Sequence, residues 1–240
     1  MFDPDATTRA SALHSTPGVL ASGEPGQHVL QILTTEHWSL LATRSMGYTE
    51  AMSRAALFIA ALSGAVVALA LVAQATDFGD GFVAFSLVLL PVVFFVGVVT
   101  IARLGQINAE DTLWVQGLNR LRHAYLELAP ELEPYFVTSR YDDVLGVLAS
   151  APRSKPQTTN RPFQAFVAAP GLIAVLDSVV AGATAGIAAL GVDLGTAGSI
   201  GAGVVAFSIS LAAFIAFGVR SIHGYRRDLD VRFPSPASTE

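Results

Sequence analysis

Four stretches of this chain leave it few folds to choose from. Ala55 to Ala73 runs 19 residues without a charge, Gly81 to Ala102 runs 22, and Gly195 to Val219 runs 25. Gly171 to Leu190 adds 20 residues with one acidic side chain, Asp177. About 20 apolar residues in helical form cross roughly 30 Å of hydrocarbon, and only a helix or a closed barrel satisfies its own backbone there. The expected fold is therefore an all-α integral membrane protein with four transmembrane helices. A composition 52% hydrophobic and 14% charged, with a mean hydropathy of +0.53, belongs to the same class.

Orientation follows from the 14 basic residues. Arg9, Arg44 and Arg54 precede the first run. Seven, from Arg103 to Arg161, lie between the second and third, and Arg220, Arg226, Arg227 and Arg232 follow the fourth. The connections Gln74 to Asp80 and Gly191 to Leu194 carry none, only Asp77, Asp80 and Asp193. Positive charge stays inside, which predicts both termini in the cytoplasm and two short outer turns. Thirteen arginines to one lysine in an Ala, Val and Gly-rich chain point to a GC-rich bacterial genome, hence a bacterial inner membrane. The absence of cysteine removes disulfides, thiol chemistry and cysteine-held metals.

The chain divides as follows. Residues 1–28 carry Pro4, Pro17 and Pro25 without a hydrophobic period and are expected to be a disordered cytoplasmic tail. Residues 29–129 form a first hairpin, with spans over about 55–75 and 81–103. Both spans are expected to extend into a cytoplasmic helical subdomain, because the helical pattern continues on one side through Leu30, Leu33, His37, Leu41, Tyr48 and Met52. On the other it continues through Ile107, Trp114, Leu118, Leu121, Tyr125 and Leu128. Trp38 and Trp114 are expected to be packing anchors of that subdomain. In the second span Pro91 is expected to kink the helix.

Residues 130–162 should hold a short helix over Arg140 to Ala149, capped by Ser139, with Tyr141, Val144, Leu145 and Leu148 buried, followed by a polar, proline-punctuated linker. Residues 163–227 form a second hairpin, with spans near 168–190 and 195–219. Residues 228–240 are read as a cytoplasmic tail. Arg220, His223, Arg226 and Arg227 with Tyr225 form a set that suits anionic headgroups or an ordinary stop-transfer anchor.

Asp177 is the one charge within any span. A charged side chain at the bilayer centre costs at least ~2.5 kcal/mol on insertion scales, so such a residue turns toward protein or water. At about 100° per residue, Leu172, Leu176, Val179, Val180, Ala183, Ile187 and Leu190 share one arc. Ala174, Asp177, Ser178, Ala181, Gly182, Thr184, Ala185, Ala188 and Ala189 share the other. The bulky arc should face lipid and the small arc another helix. Gly182 and Gly186 make a GxxxG pair, and the glycine-rich outer half of the next span, Gly195, Gly198, Gly201 and Gly203, is its expected packing partner, with Gly198 and Gly201 singled out. The carboxylate is a candidate ion or proton site, with Thr184 the first of several span hydroxyls able to hydrogen-bond it, the others being Ser63, Ser86, Thr100, Ser208 and Ser210. An interhelical hydrogen bond or snorkelling toward the cytoplasm would explain the residue equally well.

No HExxH, GxSxG, P-loop or strand-borne GxGxxG is present. The five histidines are widely separated, and no cofactor, metal, nucleic-acid partner or enzymatic activity is expected. Through His37 to Ala75, HWSLLATRSMGYTEAMSRAALFIAALSGAVVALALVAQA, and Asn119 to Phe136, NRLRHAYLELAPELEPYF, the chain resembles a group of uncharacterised small four-span integral membrane proteins of actinobacteria. The likeness extends over residues 30–230 and implies a source and a membrane setting. It carries over no functional residue. Two functional classes are expected: an oligomeric ion or proton channel or transporter built on Asp177, and a non-transporting anchor or adaptor whose cytoplasmic helices bind a protein partner or self-assemble.

Overall fold

The computed structural model of the protein describes residues 25–150, 169–227 and 229–236. The tail before residue 25, the linker after Ser150 and residues 237–240 lie outside the described residues. So do the side chains at 222–227 that were matched to headgroups. Five α-helices follow in order: α1 (Pro25–Ala75), α2 (Asp80–Leu128), α3 (Val144–Ser150), α4 (Ala169–Gly191) and α5 (Gly195–Arg227), with a 3-10 turn at Pro130–Tyr135. No strand occurs among the described residues. Four of the helices, all but α3, are long and apolar enough to cross a membrane.

The first two helices are continuous over 51 and 49 residues, as the unbroken helical pattern predicts, and α2 passes through Pro91 without ending. They pack antiparallel. Tyr125 donates its hydroxyl to the Leu33 carbonyl at 3.0 Å, Leu40 sits on Gly117, Arg44 pairs with Asp111, Gly47 meets Ile107, and Arg103 pairs with Glu50. Each step up one helix is matched by a step down the other. The seam on α1 runs through Leu33, His37, Leu40, Gly47, Ala51, Phe58, Leu62, Ala65 and Leu69, at alternating spacings of three and four. Tyr48 and Met52, one residue off that seam, are 67% and 38% exposed, and Trp38 at 68% is no packing anchor. Trp114 is half-buried.

Both hairpin turns use one device. The N–H of Phe78 returns to the Ala73 carbonyl and that of Leu194 to the Ala189 carbonyl, each 3.1 Å, so each helix closes its last turn with a six-residue capping loop. The first residue in the left-handed region is an aspartate each time, Asp77 at φ 48°, followed by Phe78 at φ 57°, and Asp193 at φ 55°. Aspartate tolerates that conformation better than most side chains, which accounts for Asp77 and Asp193, while Asp80 begins α2.

Across the bundle α2 packs on α1 and α4, and α4 on α2 and α5, so the helices form a row with α2 and α4 at its centre. On α4, Leu172, Val179, Ala183 and Leu190 face outward as the bulky arc predicts, whereas Val180 of that arc is buried. The short helix departs from expectation. It begins at Val144 rather than Arg140, because the Gly146 N–H takes its cap from Asp143 Oδ1 at 2.7 Å, while Ser139 instead closes a local turn with the Tyr141 N–H. That later start rotates Leu145 and Leu148 outward, to 67% and 50% exposure.

Candidate functional site

Small residues decide where α4 can come close. A Cβ added at Gly182 would lie 2.9 Å from the Gly203 carbonyl oxygen, and one at Gly186 3.3 Å from the Ser199 carbonyl oxygen. Backbone meets backbone here, as at other small-residue membrane interfaces. Of the four glycines in the expected half of α5, the partner is Gly203 and not Gly198 or Gly201: Gly201 has open space around it, and Gly198 meets only Leu194 of its own turn. Between Gly198, Gly201 and Gly203 the wheel angle alone does not choose, because closely spaced glycines ring much of the helix.

On its other side α4 meets α2, and Asp177 is at that contact. The residue is fully buried. Gly97 of α2 makes the space: a Cβ at that position would overlap the Asp177 carboxyl group. Ile173, Ala174 and Val180 close the site from α4 and Val93 and Ile101 belong to the same apolar core from α2. Neither carboxylate oxygen has a hydrogen-bond donor among the described residues.

Five of the six hydroxyls expected to serve it are engaged elsewhere, and the sixth, Ser210 Oγ, is buried without a partner among the described residues. Thr184 donates to Val180, Ser63 to Ile59, Ser86 to Phe82, Thr100 to Val96 and Ser208 to Val204, each a carbonyl one turn back on its own helix at 2.7–2.8 Å. Thr184 is therefore not a ligand of the carboxylate. This back-bonding is the usual resting state of hydroxyls in apolar helices. Ser178, also fully buried, does the same with Ala174. Asp177 lies eight residues into α4, roughly 12 Å from its start.

From Leu104 onward, a cavity of about 700 Å³ opens between α1, α2 and the first residues of α4. Its walls carry Arg44, paired with Asp111 at 2.5 Å, and Glu50, which accepts from Arg103 at 2.9 and 3.0 Å and from Arg54 at 2.8 Å. Gly97 and Leu104 are seven residues apart, so about 10 Å of helix separates the carboxylate from this polar level.

A second buried aspartate sits at the opposite extreme, and sequence reasoning missed it. Asp142 is also fully buried, but its carboxylate accepts from Arg120 Nε at 2.8 Å and from the main-chain N–H groups of Arg232 and Phe233 at 3.0 and 2.7 Å. Asp143 beside it accepts from Ser235, through N–H at 3.0 Å and hydroxyl at 2.8 Å. Gln116 Nε2 donates to the carbonyls of Asp142 and Asp230, both 2.9 Å, Arg120 Nη2 reaches the Asp230 carbonyl, and Phe233 stacks on His123 with ring centroids 4.0 Å apart. The residues expected to form a tail are thus docked on α2 and the turn before α3.

Burial pushes both carboxylates up. For Asp142 the Arg120 guanidinium and the Arg232 and Phe233 N–H groups more than reverse this, and for Asp143 the Gly146 and Ser235 donors do so, leaving both below the ordinary aspartate value. The only sequence sign of this site is the Asp-Asp pair after an arginine and tyrosine, because the tail is recognised mainly by backbone atoms.

Among the described residues no three His, Asp or Glu side chains cluster as a metal site would need. The chain matches no protein-family model, no curated protein and no solved structure.

Proposed function

We propose that this protein is a four-span inner-membrane channel or transporter of bacterial origin in which Asp177 binds the transported proton or ion, a proton being the better fit. The observation that carries this reading is the fully buried carboxylate with no donor on either oxygen, lodged against Gly97 at the α2–α4 contact. Intramembrane acids are costly and cluster on ion and proton pathways. A dehydrated calcium ion takes 6–8 oxygen ligands and magnesium about six, whereas a proton needs only the carboxylate itself. Among the described residues no cluster of three His, Asp or Glu side chains is present to build a cation shell.

In this reading both termini are cytoplasmic, as the basic residues require. The extended halves of α1 and α2 then form a cytoplasmic helical subdomain, and copies of the chain associate through their remaining exposed apolar faces. The test is proton and monovalent-cation flux into liposomes holding wild type, Asp177→Asn or Gly97→Ala. Flux in wild type that disappears in Asp177→Asn and falls in Gly97→Ala, where the carboxyl group must move, is expected. Absence of flux from wild type under either polarity of pH gradient and potential would sink the transport reading.

A second reading has its own support. Leu30, Trp38, Tyr48 and Met52, from 38% to 68% exposed, lie within a sector of about 80° on α1. That stripe suits an anchor or adaptor whose helices hold a protein partner or another copy. Cross-linking of the full chain in membranes from a cysteine at Trp38 should then capture a neighbour, and capture of none would remove this alternative.

A further inference from the structure

We propose that Asp177 is reached from the cavity between α1, α2 and the start of α4, and that Ile101 and Ile173 form the single apolar layer closing this route. The proposal rests on the reading of Asp177 as the proton site, and it names the side from which that site is loaded.

The register of α2 and α4 makes the case. Gly97 faces Asp177, and the helices are still in step 14 residues away, where a Cβ on Gly191 would lie 3.0 Å from the Val83 side chain. They therefore run antiparallel in one register over about four turns. In the other direction that register sets Ile173 against Ile101 and Pro170 against Leu104. Leu104 and Pro170 both line the cavity, as the register requires. Between this cavity floor and the carboxylate only the two isoleucines remain, 6% and 1% exposed and part of one apolar core.

The cavity belongs to the wet side of the layer. Its lining residues fall within 41–52, 104–114 and 169–170, all outside the apolar runs that begin at Ala55, end at Ala102 and begin at Gly171. Arg44, Glu50, Glu110 and Asp111 are in its walls, and a polar space of this size holds water. Toward the turns the way is far longer. From Gly97 back to Asp80 there are 17 residues, about 25 Å of helix against about 10 Å to Leu104, with Val93, Leu90 and Ser86 buried along it. The layer itself carries no polar tie. Among the described residues the side-chain hydrogen bonds of α4, from Ser178 and Thr184, go to its own carbonyls, so apolar contact alone holds it to α2 at this level. Apolar constrictions between polar spaces gate by wetting and dewetting, which suits a proton carried on water.

The chain has no cysteine, so a single introduced thiol reports access without background. Full-length Asp177→Cys in sealed vesicles of either orientation is treated with a membrane-impermeant cationic methanethiosulfonate, with Ser45→Cys marking the cavity side and Asp80→Cys the side of the turns. The thiol at position 177 is expected to react slowly and from the cavity side. Adding Ile101→Ala or Ile173→Ala should quicken that reaction about tenfold or more, because each takes most of an apolar side chain out of the layer. Ile101→Val and Ile173→Val, which disturb packing least, should quicken it in the same sense by a smaller factor. Val93→Ala, beyond the carboxylate, should leave the rate as it was. Reaction from the side of the turns would overturn the proposal. So would an equal rise in Val93→Ala, or a rate that no isoleucine variant raises while Ser45→Cys labels. Proton flux in wild type alongside any of these would keep the transport reading and remove only this route. Absence of flux alongside isoleucine-dependent labelling would remove the transport reading and leave the route in place.

Discussion

Asp142 and Asp177 are equally buried, and the molecule treats them oppositely. Asp142 is surrounded by donors: a guanidinium and two main-chain N–H groups converge on its two oxygens. Asp177 has none among the described residues. A buried carboxylate with every lone pair engaged is an expensive thing to disturb and a poor thing to titrate. One without partners contributes nothing to stability through hydrogen bonds. The difference separates an aspartate that holds parts of the chain together from one whose presence needs another explanation.

Four measurements would break or sharpen that contrast. The largest effect is expected from Asp142→Ala, which strands Arg120 and two N–H groups. Removing one partner of a buried pair costs about 3–5 kcal/mol, and the lower part of that range applies because Arg120 keeps 29% exposure. Trypsin should then cut the tail readily after Arg232, and equal protection in the variant would show that the tail is held by something else.

Next comes Gly182→Val, whose Cβ would press within 2.9 Å of the Gly203 carbonyl and push two backbones apart. Overpacking of this kind costs about 1–3 kcal/mol, visible as a lower Tm in detergent. Gly201→Val, at a position with nothing within 4 Å, should leave Tm nearly unchanged. The reverse order would restore Gly201 as the interface glycine.

The tail should also respond to acid. Asp142 and Asp143 titrate below the ordinary aspartate value of 3.8 when docked. A depressed pKa contributes stability that is complete above the ordinary value and is lost as pH falls through the docked one. Docking should therefore be constant from pH 7 to about 5 and weaken below about 4, by at most roughly 1.4 kcal/mol per pH unit for each group. Amide exchange at Arg232 and Phe233 reads this directly, and weakening already at pH 6 would contradict the assignment of these two carboxylates.

The smallest effect belongs to Asp177→Asn. The carboxylate has no donor to lose and the amide matches it in size, so Tm should stay near that of wild type or rise. A fall of several degrees would mean that the carboxylate does hold the helices, and the contrast with Asp142 would collapse.

Much of this was legible before any coordinates. Unbroken helical periodicity gave α1 its passage beyond the apolar run, and the size sorting on α4 turned Asp177 inward, because both depend only on spacing along one helix. Rotation about the helix axis was less legible. Leu33, His37 and Leu41 line or border the α1 seam while Tyr48 and Met52 fall outside it, since a drift of one residue over a few turns exceeds the width of a seam. The start of α3 turned on which of two candidate caps took the first free N–H. The docked tail was not legible at all: Arg232, Phe233 and Ser235 bond to Asp142 and Asp143 from about 90 residues away.

By itself the sequence determined the number of long apolar helices, their lengths and the presence of one acid among them. Those properties are set by local hydrophobicity and by the backbone's need for partners in hydrocarbon. Only the tertiary structure decided that Gly97 leaves room for that acid, that Gly203 rather than Gly201 receives α4, and that the end of the chain returns to Asp142. Each is a meeting of groups distant in sequence, fixed by steric fit and by the pairing of buried polar atoms, and no spacing rule along a single strand of residues encodes either.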